Sequence, residues 1–371
     1  MKILSCYLLN FRNFNNLNIR FFEKLNIIIG DNAKGKTNIL EALYFSAKGK
    51  SFKSAKQEDL IKLGKMESFI RTDIDSSGLE EKIEVKISRN SQKIIRINEN
   101  KIDTMKTLRS FFDIVTFTPE DIKIIKESKS FRREFLDEVI SGIIPSYENL
   151  LIKYNKILNQ RNYILKNNKN ISYFKEQVQA STKQLAQEGA KIMRMRSKYI
   201  FMLEEKAKLV HDSLTYNKEK LDILYNKNSE NSYSDINNNY NILYKGLQDN
   251  LNLDLNRGFT SVGPHRDDIS ILVNGLESRV FLSQGQQRTL TLTLKLAQTK
   301  LYDEIKESSP IILLDDVFSE LDDDRINYLL KEIKDYQCII TSTDEGFIKN
   351  YNGEYRIFEF IDDRLEIKKF R

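Results

Sequence analysis

The chain has 371 residues, 40% hydrophobic and 30% charged, enough for a sizeable core plus an appended lobe, so two structural units are expected. Its 59 basic and 53 acidic residues give a net charge of +6, which permits nucleic-acid binding through local patches without demanding it. No run reaches the ~18 apolar residues of a membrane span, so a cytoplasmic protein without membrane association is expected. Cys6 and Cys338 lie in strand-like segments at opposite ends of the chain, which argues for reduced core thiols and against structural zinc or redox chemistry.

The first 30 residues place apolar side chains in short runs (Ile3, Leu4, Tyr7, Leu8; Leu17, Ile19, Phe21; Leu25 to Ile29) broken by polar pairs, as strands do. The last run meets Gly30-Asp31-Asn32-Ala33-Lys34-Gly35-Lys36-Thr37, after which Ile39, Leu40, Leu43 and Ala47 read as a helix. A glycine loop between a buried strand and a helix N-terminus suits phosphate binding. Its backbone N–H groups turn inward, Lys36 reaches the β- and γ-phosphates, and the Thr37 hydroxyl can ligate Mg²⁺.

Further strands are expected at Phe69 to Ile74, Ile83 to Ile87, Ile94 to Ile97 and Ile114 to Phe117, with turns at Ser76-Ser77-Gly78 and near residues 98–100. The period then changes. Tyr147, Leu150, Leu151, Tyr154, Ile157, Leu158, Arg161, Ile164 and Leu165 describe a long amphipathic helix ending in the polar tip Asn167 to Asn170. Val178, Leu185, Ile192 and Tyr199 recur every seven residues and suggest a second helix folded back antiparallel on the first. The Asn- and Ser-rich stretch Asn226 to Asn241 reads as a loop.

From about residue 257 the strand pattern returns, with Ile269, Ile271 and Val273 alternating, a hairpin turn at Asn274-Gly275, and Val280 to Leu282 running back. Ser283-Gln284-Gly285-Gln286 then opens a long helix carrying Leu290, Leu294, Ala297 and Leu301. A hydroxyl, an approachable glycine backbone and a helix N-terminus can together address an anion, although a capping serine alone would start any helix. Ile311 to Asp316 is a buried strand ending in two carboxylates. Asp315 can hold Mg²⁺ and Asp316 can activate an attacking water.

These motifs resemble those of the ABC-type ATPases of the SMC-like class. Ser283 to Gln287 looks like the signature motif with Gln284 replacing a glycine, Ser319-Glu320-Leu321-Asp322 resembles the D-loop, and Ser342-Thr343-Asp344 sits where transporters carry His-Asp. Thr343 holds no charge near neutral pH, and Asp316 is shorter than the usual Glu; both departures suit slow hydrolysis. GDNAKGKTNILEAL (Gly30 to Leu43), Pro119-Glu120-Asp121, Arg132 to Asp137, Gly263 to Asp268, Ser283 to Lys295 and Leu313 to Asp322 are in combination similar to the RecF family of bacterial recombination mediators.

That resemblance implies an α/β fold: a P-loop ATPase head of mixed sheet with helices (1–120 and 255–371) and an inserted antiparallel helical arm (121–254). It implies that the signature segment acts in trans on nucleotide held by a second copy, so that ATP with Mg²⁺ drives a homodimer. It further implies binding to double-stranded DNA and gapped single-strand/double-strand junctions, and work with RecR and RecO in loading the recombinase. Thr343, Asp316 and Lys36 would be the catalytic set, and Ser319 and Asp322 the D-loop contacts.

The residues themselves supply basic clusters at Lys123, Lys126, Lys129, Arg132 and Arg133, and on one helix face at Lys191, Arg194 and Lys198. Each can be a phosphate contact or a solvated face. His265 and Arg266, beside Asp267 and Asp268, can be catalytic or serve packing. A transporter ATPase subunit should lack the helical insertion and carry histidine at 343. Another SMC-like nucleic-acid ATPase, such as one of a defence system, would add an effector domain.

Overall fold

A computed structural model describes residues 1–53, 56–76, 78–102, 105–109, 111–167, 173–225, 235–306, 309–349, 351–361 and 364–371. In chain order the elements are β1 (Lys2–Phe11), β2 (Phe14–Arg20), β3 (Leu25–Ile29), α1 (Lys36–Lys48), β4 (Glu67–Ser76), β5 (Leu79–Ser88), β6 (Ile94–Ile97), β7 (Asn100–Lys101), α2 (Met105–Arg109) and β8 (Ile114–Phe117). There follow α3 (Lys123–Lys126), α4 (Lys129–Ile143), α5 (Ser146–Lys166), α6 (Phe174–Thr215), β9 (Leu221–Tyr225), α7 (Ile236–Asp249) and α8 (Leu251–Arg257). The chain ends with β10 (Ile269–Val273), β11 (Leu276–Glu277), α9 (Ser278–Phe281), α10 (Gln284–Lys306), β12 (Ile311–Asp315), α11 (Asp323–Glu332), β13 (Cys338–Ser342), β14 (Tyr355–Ile361) and β15 (Arg364–Phe370).

Two compact units emerge: Met1–Ile122 with Thr291–Arg371, and Lys123–Leu290. The expected return to the head at residue 255 therefore differs from the observed boundary. Residues 255–290 group with the inserted unit because β10 pairs antiparallel with β9, Ile271 opposite Ile223, in a sheet ordered β11-β10-β9.

In the first unit, β3, β8, β12, β13 and β14 run parallel, and β15 pairs antiparallel with β14, in the order β15-β14-β3-β13-β12-β8. Strands β3, β12 and β13 are buried at every residue, as parallel strands covered on both faces must be. Strands β2-β1-β4-β5-β6-β7 form a second, antiparallel sheet. One apolar core joins the two sheets through α1, drawing on Cys6, Leu8, Ile70 and Val85, on Ile39 to Ala47, and on Leu313 and Ile339. Helix α1 is buried at every residue from Ile39 to Lys48, which explains its weak amphipathicity. Its buried Glu41 accepts from Arg12 Nε at 2.8 Å and Nη2 at 2.7 Å. Both cysteines are buried and free, and burial pushes the Cys6 thiol up to about 12.

In the second unit, α5 packs on α6, and α6 runs well beyond Tyr199, the last position of its predicted seam. The fully buried Arg161 of α5 holds them to α8. Its Nη1 donates to Asp254 Oδ2 at 2.8 Å and Thr260 Oγ1 at 2.6 Å, and its Nε donates to Thr182 of α6 at 3.1 Å.

Two sequence expectations change here. Of the predicted Asn-rich loop, residues 226–234 lie outside the described residues, while residues from Ile236 onward form α7. Asp235 caps that helix by accepting from Asn237 N and Asn238 N, and Leu243 and Leu247 bury its apolar face, which together outweigh the poor helix propensity of asparagine. The predicted return strand at Val280 to Leu282 is replaced by β11 at Leu276–Glu277 and the short helix α9. Ser77 of one predicted turn and residues 168–170 of the polar tip are also outside the described residues. Among the described residues, no helix is long and apolar enough to cross a membrane.

Candidate functional site

Three buried parallel strands end side by side, and the motif residues leave from their C-terminal ends. Ser342 of β13 pairs with Ile29 of β3, and Thr341 pairs with Asp315 of β12. Gly30, Asp316 and Thr343 therefore emerge at one sheet end, the usual ligand position in open α/β sheets. Gly35 begins α1 with φ 103°, which turns the loop onto the helix N-terminus. The turn after β1 buttresses it: Asn13 Nδ2 donates to Lys34 O at 3.0 Å, and Asn13 Oδ1 accepts from Asn38 Nδ2 at 2.9 Å.

Lys36 is buried, and its Nζ donates to Gly30 O and, at 3.0 Å, to Asp31 O. Burial lowers its pKa, opposed by the carboxylates of Asp316, Asp31 and Asp315. Thr37 Oγ1 donates to Asp315 Oδ1 at 2.7 Å, and the same oxygen accepts from Thr341 Oγ1 at 2.8 Å. Asp316 takes a left-handed conformation, φ 51°, with its N–H on Thr341 O and Oγ1, both at 3.1 Å. A non-glycine residue held there carries strain of the kind found at functional sites. Asp31, Asn32 and Ala33 form the exposed crest of the loop.

The remaining head residues serve local structure as well. Ser319 Oγ donates to Asp316 O at 2.8 Å, and Asp322 caps α11 by accepting from Arg325 N at 3.0 Å. Phe318 stacks on Phe347 at 4.3 Å between centroids and 8° between planes, joining the D-loop segment to the turn that follows Asp344. Thr343 is exposed, and Asp344 caps that turn through Gly346 N at 2.6 Å.

The signature segment belongs to the second unit. Ser283 N–H donates to Gln286 Oε1 at 3.0 Å, and Gln286 N–H donates to Ser283 Oγ at 3.3 Å, a reciprocal capping box at the start of α10. Gln284 and Gly285 are exposed in its first turn, and a Cβ placed at Gly285 would meet nothing within 4 Å.

Of the expected phosphate contacts on DNA, Lys191, Arg194 and Lys198 are exposed on α6, with Lys191 paired to Glu188 at 3.1 Å. Arg132 and Arg133, expected on a DNA surface, bond within the unit, Arg132 buried and Arg133 half-buried. Arg132 is 5% exposed and grips Asp268 through Nε and Nη2, while Arg133 Nη1 donates to Asp267 O at 2.6 Å. His265 and Arg266 join the same knot. His265 Nδ1 meets the Tyr154 hydroxyl at 2.8 Å, its Nε2 meets Thr260 O at 3.1 Å, and the Arg266 guanidinium lies 5.0 Å over the Phe259 ring. Burial holds the His265 pKa down to about 4, reinforced by Arg266, Arg133 and Arg196, so the ring is neutral and suited to packing.

The sequence reading missed Asn13, Thr341 and the role of Gln286. The Ser-x-x-Gln spacing was a visible signal for the last; neither Asn13 nor Thr341 carries a motif.

Among the described residues, no three His, Cys, Asp or Glu side chains cluster as a metal cage. Magnesium commonly takes one or two protein ligands and completes its shell with phosphate and water, and the Thr37 hydroxyl beside the Asp315 carboxylate fits that donor set.

The family described as RecF/RecN/SMC N terminal domain matches residues 2–364. The "DNA replication and repair protein RecF" of Clostridium acetobutylicum is 41% identical, over 98% of this chain and 99% of the relative. Its Clostridium novyi counterpart is 40% identical over 100% and 98%. The solved structure of the recombination mediator protein RecF with ATP in the RecFOR pathway superposes with a TM-score of 0.90 at 36% identity, covering 99% of this chain and 98% of that one. An Smc head bound to the C-winged helix domain of ScpA shares the fold, with a TM-score of 0.58 at 15% identity over 99% and 97%. On this similarity along almost its whole length, the chain belongs to the RecF family of SMC-like, ABC-type ATPases.

Proposed function

We propose that this chain is an ATP-dependent DNA-binding switch of replication and recombinational repair. Two copies would close on double-stranded DNA near a single-strand gap when each holds ATP, and slow hydrolysis would release them. The observation that carries the reading is the Thr37–Asp315–Thr341 bond set at the sheet end beneath the glycine loop. It joins the phosphate loop to the carboxylate strand as a nucleotide site requires. Its place in this family supports the biological role, with RecR and RecO as partners and the cytoplasm as the compartment.

Each residue has a task. The N–H groups at the start of α1 and the Lys36 ammonium would hold the phosphates, with Lys36 exchanging carbonyl partners for charged oxygens. Thr37 and Asp315 would hold Mg²⁺, which when bound neutralises phosphate charge. Asp316 would orient and deprotonate the attacking water, and Thr343 would donate a hydrogen bond without carrying charge. A general base with short reach and no histidine beside it suits a slow switch. Ser283, Gln284, Gly285 and Gln286 would meet the phosphate bound by the second copy, with Ser319 and Asp322 lining the same junction. The exposed row Lys191, Arg194 and Lys198 remains our choice for phosphate contacts on DNA.

Analytical ultracentrifugation of an Asp316→Asn variant, with and without ATP and a gapped duplex, tests this reading. ATP should convert monomer to dimer, and the duplex should strengthen that conversion. A species that stays monomeric with ATP, or DNA binding indifferent to nucleotide, overturns it.

A further inference from the structure

A residue remote in sequence holds the signature segment. Helix α6 ends at two successive left-handed residues, Tyr216 (φ 55°) and Asn217 (φ 58°), which reverse the chain. Asn217 N–H donates to Asp212 O at 2.8 Å and Lys218 N–H to Thr215 O at 3.0 Å. On the other side, Lys220 N–H donates to Asn274 Oδ1 and Asn274 N–H to Lys220 O, both at 2.8 Å. Glu219 is thereby fixed through its backbone neighbours on both sides.

Its carboxylate has two partners. Oε2 lies 3.2 Å from Nε2 of the fully buried His211, whose pKa burial lowers and the Glu219 carboxylate raises in opposition. Oε1 accepts from Gln286 Nε2 at 2.7 Å. That second bond decides which way the Gln286 amide faces. With Nε2 committed to the carboxylate, Oε1 is the atom presented to Ser283 N–H, 3.0 Å away. Reversed, the amide would set acceptor against acceptor at Glu219 and donor against donor at Ser283 N–H. Ser283 Oγ already accepts from Gln286 N–H at 3.3 Å, which leaves its own proton for another acceptor.

We propose that Glu219 is a positioning residue of the signature motif: by fixing the Gln286 amide, it holds Ser283 with its hydroxyl proton available to a phosphate oxygen of nucleotide bound by a second copy. This rests on the reading of Ser283 to Gln286 as the trans-acting half-site. The conformation of the signature serine is thereby tied to the end of the longest helix of the second unit, through His211 and the Tyr216–Asn217 turn.

The test uses the full chain in the Asp316→Asn background, comparing Glu219→Ala, Gln286→Leu, Ser283→Ala and the Glu219→Ala/Ser283→Ala pair. Monomer ATP affinity is read by calorimetry, dimerisation with ATP by sedimentation, and folding by thermal melting. Glu219→Ala should weaken ATP-dependent dimerisation about tenfold, the scale of one charge-assisted hydrogen bond. Monomer ATP affinity should stay unchanged, and the double variant should be no worse than Ser283→Ala, because both act through one serine. Gln286→Leu should reproduce the loss, and Glu219→Met, close to the native side chain in length, decides the matter if Glu219→Ala does not fold. If Ser283→Ala weakens dimerisation while Glu219→Ala and Gln286→Leu leave it intact, the inference is wrong and the trans reading stands. If Ser283→Ala itself leaves the dimer unchanged, the trans reading fails first. A fall in monomer ATP affinity with Glu219→Ala would make the residue a general structural support and overturn the proposal.

Discussion

Replacing Gly35 by alanine should disable the phosphate loop through two separable costs. The first is backbone conformation: φ at Gly35 is 103°, where an L-residue costs about 1–2 kcal/mol. The second is steric, since the new Cβ would lie 2.5 Å from Asn13 Nδ2, 2.7 Å from Asn13 Oδ1 and 2.8 Å from Phe14 Cζ. Asn13 must then move and give up its bonds to Lys34 O and Asn38, worth about 1 kcal/mol each. Together these amount to about 3–4 kcal/mol against the loop conformation. Gly64 is the natural control, because its φ is 78° and a Cβ there meets nothing within 4 Å. Gly64→Ala should therefore carry only the backbone cost, about 1–2 kcal/mol. Urea unfolding measures the stability difference between the two variants, and titration calorimetry with ATP reads the site. If Gly35→Ala is no less stable than Gly64→Ala, or binds ATP with wild-type affinity, the turn after β1 does not brace the loop.

Gly285→Ala should behave in the opposite way. With no atom near the new Cβ and alanine the better helix former by up to about 1 kcal/mol, melting should be unchanged or slightly raised, while ATP-dependent dimerisation falls. Normal dimerisation of this variant would show that no partner group approaches the Gly285 backbone. Asp254→Ala strands the buried Arg161 guanidinium and should cost about 3–5 kcal/mol in denaturant unfolding. Arg161→Met with Asp254→Leu should recover most of that loss, and a double variant as unstable as the single one would contradict the stranded-charge account. His265 has its folded pKa held down to about 4 against an ordinary 6.5, so the unfolded chain binds more protons between those values. Its contribution is complete above pH 6.5 and is lost as pH falls toward 4, about 3 kcal/mol in all. His265→Gln should flatten the pH dependence of stability across that window, and an unchanged slope would place the titration elsewhere.

The head was legible where a single local rule governs several neighbouring residues. Leu25 to Ile29 and Ile311 to Leu314 are runs that only a doubly covered strand accommodates, and both are buried throughout. The glycine loop was legible because its chemistry fixes spacing. What failed was set by partners distant in sequence. Residues 236–241 look like loop until Asp235 caps them and Leu243 packs; Arg132 looks like a surface cation until Asp268 meets it from the far side of a 136-residue separation. Likewise the Ile269–Val273 strand was recognised, but its grouping with the second unit was not legible, because its partner β9 lies far upstream in the chain.

The two proposed half-sites also bear on where nucleotide dependence would arise. Gly35 and Asn13 hold the phosphate loop in its turn, Thr341 holds Asp315 while Thr37 rests on the same oxygen, and Glu219 with Gln286 holds Ser283. Each is a set of hydrogen bonds internal to one unit. A ligand moves an equilibrium only by its differential affinity for the two states. On the proposed reading, that difference would come from the phosphate contacts: those of Lys36 in both states, and those Ser283 would add only when two copies meet. Variants of Lys36 should then weaken monomer binding and dimerisation by similar factors, whereas variants of Ser283, Gln286 and Glu219 should act on dimerisation alone.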